Sequence, residues 1–220
     1  MLTIWGRRNS TNVQKVMWTV GELGLDHEHR NVGGSFGGTD TAEYRAMNPM
    51  GLVPTVRDGD IAIFESNAIV RYLAARYGAG ALWPEDPAER ARADQWMEWA
   101  QTVIGPPITA VFWGIARTPK AKQDMEALKP AIDKLGRLLA IADERLGEAA
   151  FLGGERLTFG DVPLGATAYR YFTLPIERPS LPNLERWYEA LTGHEAYRTH
   201  VMIPFGASLE EWQALEAKLA

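Results

Sequence analysis

The sequence predicts a mixed α/β domain over residues 1–78 and an all-helical domain over residues 88–220. In the first part, short apolar runs of strand length alternate with segments of helical periodicity. Residues 79–87 contain two prolines and have the composition of a linker. After this linker the strand patterns disappear and helical spacing dominates. The fold class is therefore α/β followed by all-α.

The first domain is predicted to run strand, helix, strand, short helix, hairpin and helix. The predicted segments are residues 2–5, 13–23, 26–32, 41–47, 54–64 and 66–77. Gly24 and Gly78 are stop signals for the two longer helices. Asp58-Gly59 is a strong turn signal between two apolar runs and predicts the hairpin. Such an order gives a mixed sheet covered by helices.

The second domain is predicted to be a helical bundle. Its predicted helices are residues 88–116, with a break near Pro106-Pro107, and residues 121–147, 161–172, 183–192 and 208–219. The segment Thr158-Phe-Gly-Asp161 has the form of a capping box, in which an acid three residues into the helix pairs with the capping residue. We expect Asp161 to fix this helix start and to take no part in catalysis.

The composition of the chain limits the kinds of partner and reaction that the protein can have. Hydrophobic residues make up 46% and charged residues 23% of the chain, which is ordinary for a globular protein with a real core. The net charge of −5 and the lack of a basic block argue against a nucleic-acid partner. No apolar run approaches a membrane span, and the chain opens directly on a strand rather than a secretory signal. Because the chain has no cysteine, thiol chemistry must use a thiol brought by the ligand. The four histidines are scattered and do not indicate a metal site.

Two short segments have the chemistry of a peptide receptor. Pro54 cannot donate a ladder hydrogen bond, so it belongs at the first residue or the edge of a strand. We expect the Val53–Pro54 bond to be cis and the Val53 N–H and C=O to face outward, where an extended peptide can pair with them. Further on, Glu65 and Ser66 lie where a strand passes into a helix. The free N–H groups and the Ser66 hydroxyl suit a carboxylate, and Glu65 suits an ammonium.

This set of residues resembles the glutathione-binding half of the cytosolic glutathione S-transferases, whose N-terminal domain is thioredoxin-like. Residues 48–54, Asn-Pro-Met-Gly-Leu-Val-Pro, are similar to the family's Asn-Pro-x-Gly-x-Val/Ile-Pro loop. Residues 65–69, Glu-Ser-Asn-Ala-Ile, are similar to its Glu-Ser-x-Ala-Ile segment. The ordered set at matching spacing is more specific than either piece. The resemblance is to bacterial members of the serine or asparagine type, theta-like or nu-like. It implies glutathione binding at Val53, Pro54, Glu65 and Ser66.

The resemblance also implies a thiol-activating residue where the first strand meets the first helix. Taken alone, Ser and Asn at this junction favour an ordinary helix cap. A hydroxyl or amide donor at the positive end of a helix would, however, stabilise a thiolate. Some bacterial members of the family have the sequence Thr-Pro-Asn-Gly-x-Lys-Val at this junction. When Asn12, Lys15 and Val16 are aligned with the Asn, Lys and Val of that pattern, Ser10 takes the position of the threonine. We predict Ser10 first and Asn12 second as the catalytic residue. Thr11 and Asn9 stay open as alternatives.

The resemblance implies that the first long helix of the second domain lines a pocket for an apolar second substrate. Phe112, Trp113 and Arg117 are predicted to line it, and Phe205 and Trp212 are candidates to close it. Trp96, Met97 and Trp99 are predicted to pack in the core or between domains.

One segment departs from the family pattern. The family often has Lys or Arg between the loop glycine and the Val-Pro pair, or Gln or Asn before that glycine. Here those positions are Leu52 and Met50, so the partner of the ligand's glycine carboxylate is unidentified.

The implied function is a glutathione transferase that joins the glutathione thiolate to a small, largely apolar electrophile, with glutathione as co-substrate and no metal. The alternatives are glutathione-dependent disulfide or peroxide reduction and, in another class, a non-catalytic binding or interaction protein. The resemblance further implies a homodimer with no nucleic-acid or membrane partner, in the cytoplasm.

Overall fold

The structure, a computed structural model, describes residues 1–219. Its sheet contains strands β1 (Leu2–Trp5), β2 (His27–Arg30), β3 (Thr55–Asp58) and β4 (Ile61–Phe64), in the spatial order β2-β1-β3-β4. Strand β1 pairs parallel with β2 and antiparallel with β3, and β3 pairs antiparallel with β4. The mixed sheet and the hairpin are as predicted, although β2 is shorter at both ends than its predicted range.

Three helices belong to the sheet-containing part: α1 (Thr11–Glu22), α2 (Ala42–Met47) and α3 (Ser66–Tyr77). The apolar stripe of α1 packs with the inner face of the sheet and with α3. This core consists of Leu2, Ile4, Val13, Val16, Met17, Val20, Val56, Ile69 and Leu73. The helical periodicity of the sequence therefore marked the buried face correctly.

The rest of the described chain is helical. Its helices are α4 (Pro87–Trp99), α5 (Gly105–Ala116), α6 (Met125–Glu148), α7 (Val162–Thr173), α8 (Pro182–Thr192), α9 (Glu195–His200) and α10 (Leu209–Glu216). Their core is continuous with buried Trp18 of α1 and with Val70 and Ala74 of α3. The predicted α/β-plus-helical architecture is confirmed. Within residues 1–219, none of the helices is long and apolar enough to cross a membrane.

The predicted helix break at Pro106-Pro107 is wrong in kind. The chain stays helical from α4 to α5 through a π-helical segment, Ala100–Ile104, and both prolines lie in the first turn of α5. A π-helical turn before a proline does not need the N–H that proline lacks, so the helix continues through this position. Helix α9, which is only six residues long, was not predicted from the sequence.

Asp161 is buried at the start of α7 and holds several segments together. Its carboxylate accepts hydrogen bonds from the N–H of Leu152 at 2.9 Å and of Thr158 at 3.0 Å. The Thr158 hydroxyl and the Trp187 indole N–H donate to it as well. The expected structural role of this capping-box acid agrees with these contacts.

Candidate active site

A cleft of about 470 Å³ lies between the start of α1 and the helical part of the chain. The β1–α1 loop and α1 form its first wall. Helices α5, α7 and α10, together with the π-helical segment, form its second wall. Of the predicted site residues, the cleft is lined by Ser10, Asn12, Phe112, Trp113 and Arg117. Val53, Pro54, Glu65 and Ser66 are not among its lining residues, although Ser66 is hydrogen-bonded to the cleft residue Asn12.

Ser10 is the N-cap residue of α1, but its side chain makes no capping hydrogen bond. Its backbone carbonyl accepts from Gln14 N–H at 2.8 Å, so the helix begins without help from the hydroxyl. The first turn of α1 contains no acidic residue, which leaves the positive end of the helix uncompensated. The Ser10 hydroxyl is thus a free donor beside a partial positive charge.

Asn12 is exposed and links the two helix starts. Its Oδ1 accepts a hydrogen bond from the Ser66 hydroxyl at 3.2 Å, which leaves its Nδ2 free to donate. Asn9, by contrast, is buried, and its Nδ2 donates to Glu216 Oε1 at 2.9 Å. Thr11 lines the cleft as the first residue of α1.

The backbone of Glu65 has a strained conformation. It has φ +70°, the one positive φ among the described non-glycine residues. A conformation of this kind costs on the order of 1–3 kcal/mol and is found more often at functional sites. Its side chain is exposed and makes no capping hydrogen bond for α3, so the carboxylate is available to a ligand. The first N–H groups of α3 are without intrahelical acceptors.

The loop before β3 is held by a buried polar network. Leu52 C=O accepts from the Tyr44 hydroxyl at 2.6 Å and from Asn48 Nδ2 at 2.8 Å. Asn48 Nδ2 also donates to Thr55 Oγ1 at 3.1 Å. The Val53–Pro54 bond is cis, as predicted. Because neighbouring Leu52 carries these bonds, Val53 is left without a backbone partner among residues 1–219.

Lys15 is a cleft residue whose importance the sequence analysis missed. Its side chain is buried in α1, and Nζ donates to Gln101 Oε1 at 2.9 Å and to Asn67 Oδ1 at 3.3 Å. Burial lowers the pKa of Lys15 to about 8, although Glu65 and Glu98 oppose this shift. The signal for this residue was the match to the family pattern Thr-Pro-Asn-Gly-x-Lys-Val, in which Lys15 takes the lysine position.

The second wall combines aromatic rings with guanidinium groups. Arg170 donates to Asn9 C=O at 2.8 Å and lies 3.9 Å from the ring centre of Phe112. Arg117 lies 4.2 Å from the ring centre of Trp212. Phe112 is buried, whereas Trp113 is 59% exposed. Trp212 lines the cleft, and Phe205 packs edge-on behind Phe112.

Trp96 and Trp99 do not line the cleft. They are partly buried and pack against the helical core, to which buried Met97 belongs, as expected.

The described residues, 1–219, contain no candidate metal site. In this part of the chain, no group of three or more side chains of the usual ligand types lies close enough to hold a metal ion.

Two family models match the chain. Residues 5–82 match the N-terminal domain of glutathione S-transferase, and residues 93–195 match the C-terminal domain of glutathione S-transferase.

Similarity to named glutathione S-transferases extends over nearly the whole chain. The chain is 41% identical to glutathione S-transferase GstB of Escherichia coli K12, over 93% of this chain and 99% of that protein. It is 33% identical to glutathione S-transferase F14 of Arabidopsis thaliana, over 98% and 87%. A crystal structure of a theta class glutathione S-transferase from Xanthomonas axonopodis pv. citri, with glutathione bound, superposes with a TM-score of 0.89 and 48% identity, over 93% and 99%. The chain belongs to the glutathione S-transferase family.

Proposed function

We propose that the protein binds glutathione along Val53, Glu65 and Ser66 and joins its thiolate sulfur to an electrophile held in the cleft. The observation that carries this proposal is the start of α1, where an unused hydroxyl and an unused amide N–H face the cleft beside the positive end of a helix. A relative of 48% identity that was crystallised with glutathione supports the choice of ligand.

The γ-glutamyl end of glutathione is assigned to Glu65 and Ser66. The Glu65 carboxylate pairs with the ligand ammonium, and the first N–H groups of α3 bind the α-carboxylate. The Ser66 hydroxyl joins them by exchanging its bond to Asn12 Oδ1 for one to the ligand. The cysteinyl backbone pairs with Val53, whose N–H and C=O lack partners among the described residues, next to Pro54.

The glycine carboxylate, for which the sequence offered no partner, is assigned to Arg45. This residue lies in α2, and its guanidinium packs against Gly51 of the Val-Pro loop. It donates to Pro49 C=O at 2.8 Å, which holds it beside the loop, and the residue is exposed. Met50 and Leu52 are more than half exposed and supply no charge there.

The chemical step needs an ionised thiol. A cysteine-like thiol has a pKa of about 8.5, and lowering this by two units takes roughly 2.7 kcal/mol. One or two charge-assisted hydrogen bonds from Ser10 and Asn12, added to the helix dipole, supply this amount. The thiol proton passes to solvent. The thiolate then attacks the electrophilic carbon, a C–S bond forms, and the leaving group departs with the bonding electron pair.

The test is a conjugation assay with purified protein, glutathione and a benzylic halide, against the Ser10→Ala variant. We expect thioether formation that saturates with both substrates and falls in the variant. Glutathione binding without turnover would instead favour the non-catalytic binding protein. Turnover only with disulfides or peroxides would favour the reductase.

We also propose a two-domain organisation divided at residues 79–87 and a homodimer. Ile61, Phe64 and Tyr77, on β4 and at the end of α3, expose apolar surface next to the glutathione site. A two-fold contact through this surface would pair the first domain of one subunit with the second domain of its partner. Light scattering at micromolar concentration should give twice the chain mass of 24.5 kDa. A monomeric mass would remove this part of the proposal.

A further inference from the structure

The guanidinium groups of Arg7, Arg117 and Arg170 line the cleft. Two of them lie over aromatic rings that contact each other. Arg117 stacks on Trp212, and Arg170 stacks on Phe112. The two rings lie edge to face with their centres 5.6 Å apart. Arg7 of the β1–α1 loop lines the same cleft. Burial lowers the pKa of Arg117 and of Arg170, and the positive charge of the neighbouring arginines lowers it further.

This positive charge is poorly neutralised. Arg7 Nε lies 3.6 Å from Glu216 Oε1, but that carboxylate also accepts from Asn9 and Ser35. Arg170 donates to one backbone carbonyl. None of the described residues that line the cleft is acidic. A cationic cleft in a chain of net charge −5 is a local feature rather than a consequence of composition.

Arg117 is the group best placed to bind an anion. Within residues 1–219, no acceptor or carboxylate lies within bonding distance of its side chain. The guanidinium lies over the ring of Trp212 and has no hydrogen-bond partner among the described residues, so its N–H groups are available for two parallel hydrogen bonds to a carboxylate. Arg7 Nε and Trp212 Nε1 make no hydrogen bond among the described residues, although Arg7 Nε lies 3.6 Å from Glu216 Oε1. Both atoms are buried, whereas Arg117 is partly exposed, so Arg117 is the cation that a ligand in the cleft can reach.

Glutathione does not account for this anion site under the proposed function. Its α-carboxylate is assigned to the start of α3 and its glycine carboxylate to Arg45, and neither Ser66 nor Arg45 lines the cleft. Arg117 and Trp212 belong to the second wall, where the electrophile must lie.

We infer that Arg117, supported by Arg170 and Arg7, binds a carboxylate on the second substrate, so that the enzyme prefers anionic electrophiles to neutral ones of the same shape. The inference rests on the proposed function, because it names the class of the second substrate. It replaces the largely apolar electrophile expected from the sequence with an aromatic or benzylic acid: the rings of Trp113 and Phe112 contact the hydrocarbon part, and the guanidinium groups bind the acid.

A suitable probe is 4-(chloromethyl)benzoate. The glutathione thiolate attacks the benzylic carbon, the C–S bond forms as the C–Cl bond breaks, and chloride leaves with the electron pair. The carboxylate takes no part in the bond changes and only anchors the ring. The matched neutral probe is 4-(chloromethyl)benzamide, which has nearly the same shape and reactive carbon.

The experiment compares kcat/KM for the two probes in the wild type, Arg117→Gln, Arg117→Lys and Arg137→Gln. Arg137 is exposed on α6, away from the cleft, so its variant is the control for loss of one positive charge. We expect the wild type to prefer the acid about tenfold or more, the range of one or two hydrogen bonds to a charged group. Arg117→Gln should remove most of this preference through KM, Arg117→Lys part of it, and Arg137→Gln none. The preference should also weaken as salt is added.

A binding measurement separates this inference from the proposed function. Calorimetry with unreactive 4-methylbenzoate and 4-methylbenzamide, in the presence of S-methylglutathione, needs no turnover. Tighter binding of the acid by the wild type than by Arg117→Gln supports the anion site even if no conjugation occurs. Equal binding of acid and amide, or an acid preference that survives in Arg117→Gln, overturns it even if conjugation of the amide supports the transferase.

Discussion

Two helix starts in this protein look alike in sequence and differ in what their side chains do. Before α7, the Asp161 carboxylate is fully buried and accepts four hydrogen bonds. At α1, the Ser10 side chain makes no capping bond and lines a cleft. We call the first the closed start and the second the open start. A polar group with all its partners inside the fold stabilises the fold, whereas one left without partners beside a cavity is available to a ligand.

The largest effect should come from breaking the closed start. Asp161→Ala leaves four buried donors without their acceptor, and we expect a loss of about 3–4 kcal/mol in the free energy of unfolding. Urea unfolding followed by circular dichroism measures this. Thr158→Ala should cost about 1 kcal/mol. If Asp161→Ala lowered activity per folded molecule as strongly as it lowered stability, the closed start would have a catalytic role that we do not assign.

The open start should show the reverse pattern. Ser10→Ala removes a donor to the thiolate, and by analogy with loss of an oxyanion donor we expect turnover to fall roughly ten- to a thousandfold. The unfolding free energy should stay within about 0.5 kcal/mol of the wild type, because no capping bond is lost. Steady-state kinetics and unfolding are measured on the same preparations. Asn12→Ala should show the smaller defect. Full activity of Ser10→Ala, with loss in Asn12→Ala or Thr11→Ala, would move the assignment along the helix start.

A third change tests the start of α3, where Glu65 is strained and unpaired. Glu65→Ala should weaken glutathione binding by about 1.5–3 kcal/mol, the range for a hydrogen bond to a charged group. Isothermal calorimetry gives the number directly. Glu65→Gln keeps the shape but not the charge, so it should lose most of the same amount. Unchanged affinity in both folded variants would remove Glu65 from the site.

The smallest effect concerns Lys15, which lies just inside the open start. Its pKa is lowered to about 8, so at about pH 8.5 much of it is neutral in the free protein. A bound anion nearby favours the charged form and raises this pKa, so binding should take up a fraction of a proton. S-methylglutathione has no ionisable thiol, and calorimetry in buffers of different ionisation enthalpy measures the uptake. Lys15→Met should reduce the uptake, and the ligand ammonium, which pairs with Glu65 and has an ordinary pKa of about 8, accounts for the remainder. Proton release by the wild type would contradict the sign.

The sequence was sufficient for features that local patterns encode. Short apolar runs of strand length predicted the strands, and Asp58-Gly59 predicted the hairpin. The Val53–Pro54 geometry and the capping acid Asp161 followed from residue chemistry at known positions. A helix break was predicted at the prolines before α5, because a π-helical segment has no sequence signature as plain as proline.

The cleft itself depends on contacts between distant segments, which one sequence does not show. Asn9 pairs with Glu216 across almost the whole chain, and Arg170 reaches back to the Asn9 carbonyl. Arg170 looked like an ordinary residue of a helical run until packing placed it on Phe112. Arg117 was predicted as a pocket residue, but its lack of a counter-charge became visible only in three dimensions.

The central claim is that the open start of α1 holds glutathione as its thiolate through Ser10. The most direct measurement is a pH titration of the ultraviolet thiolate band of bound glutathione, in the wild type and in Ser10→Ala. The account predicts a bound-thiol pKa well below the free value of about 8.5, and a rise of about one unit or more in Ser10→Ala. An identical pKa in the two proteins, with glutathione bound equally well, would contradict it.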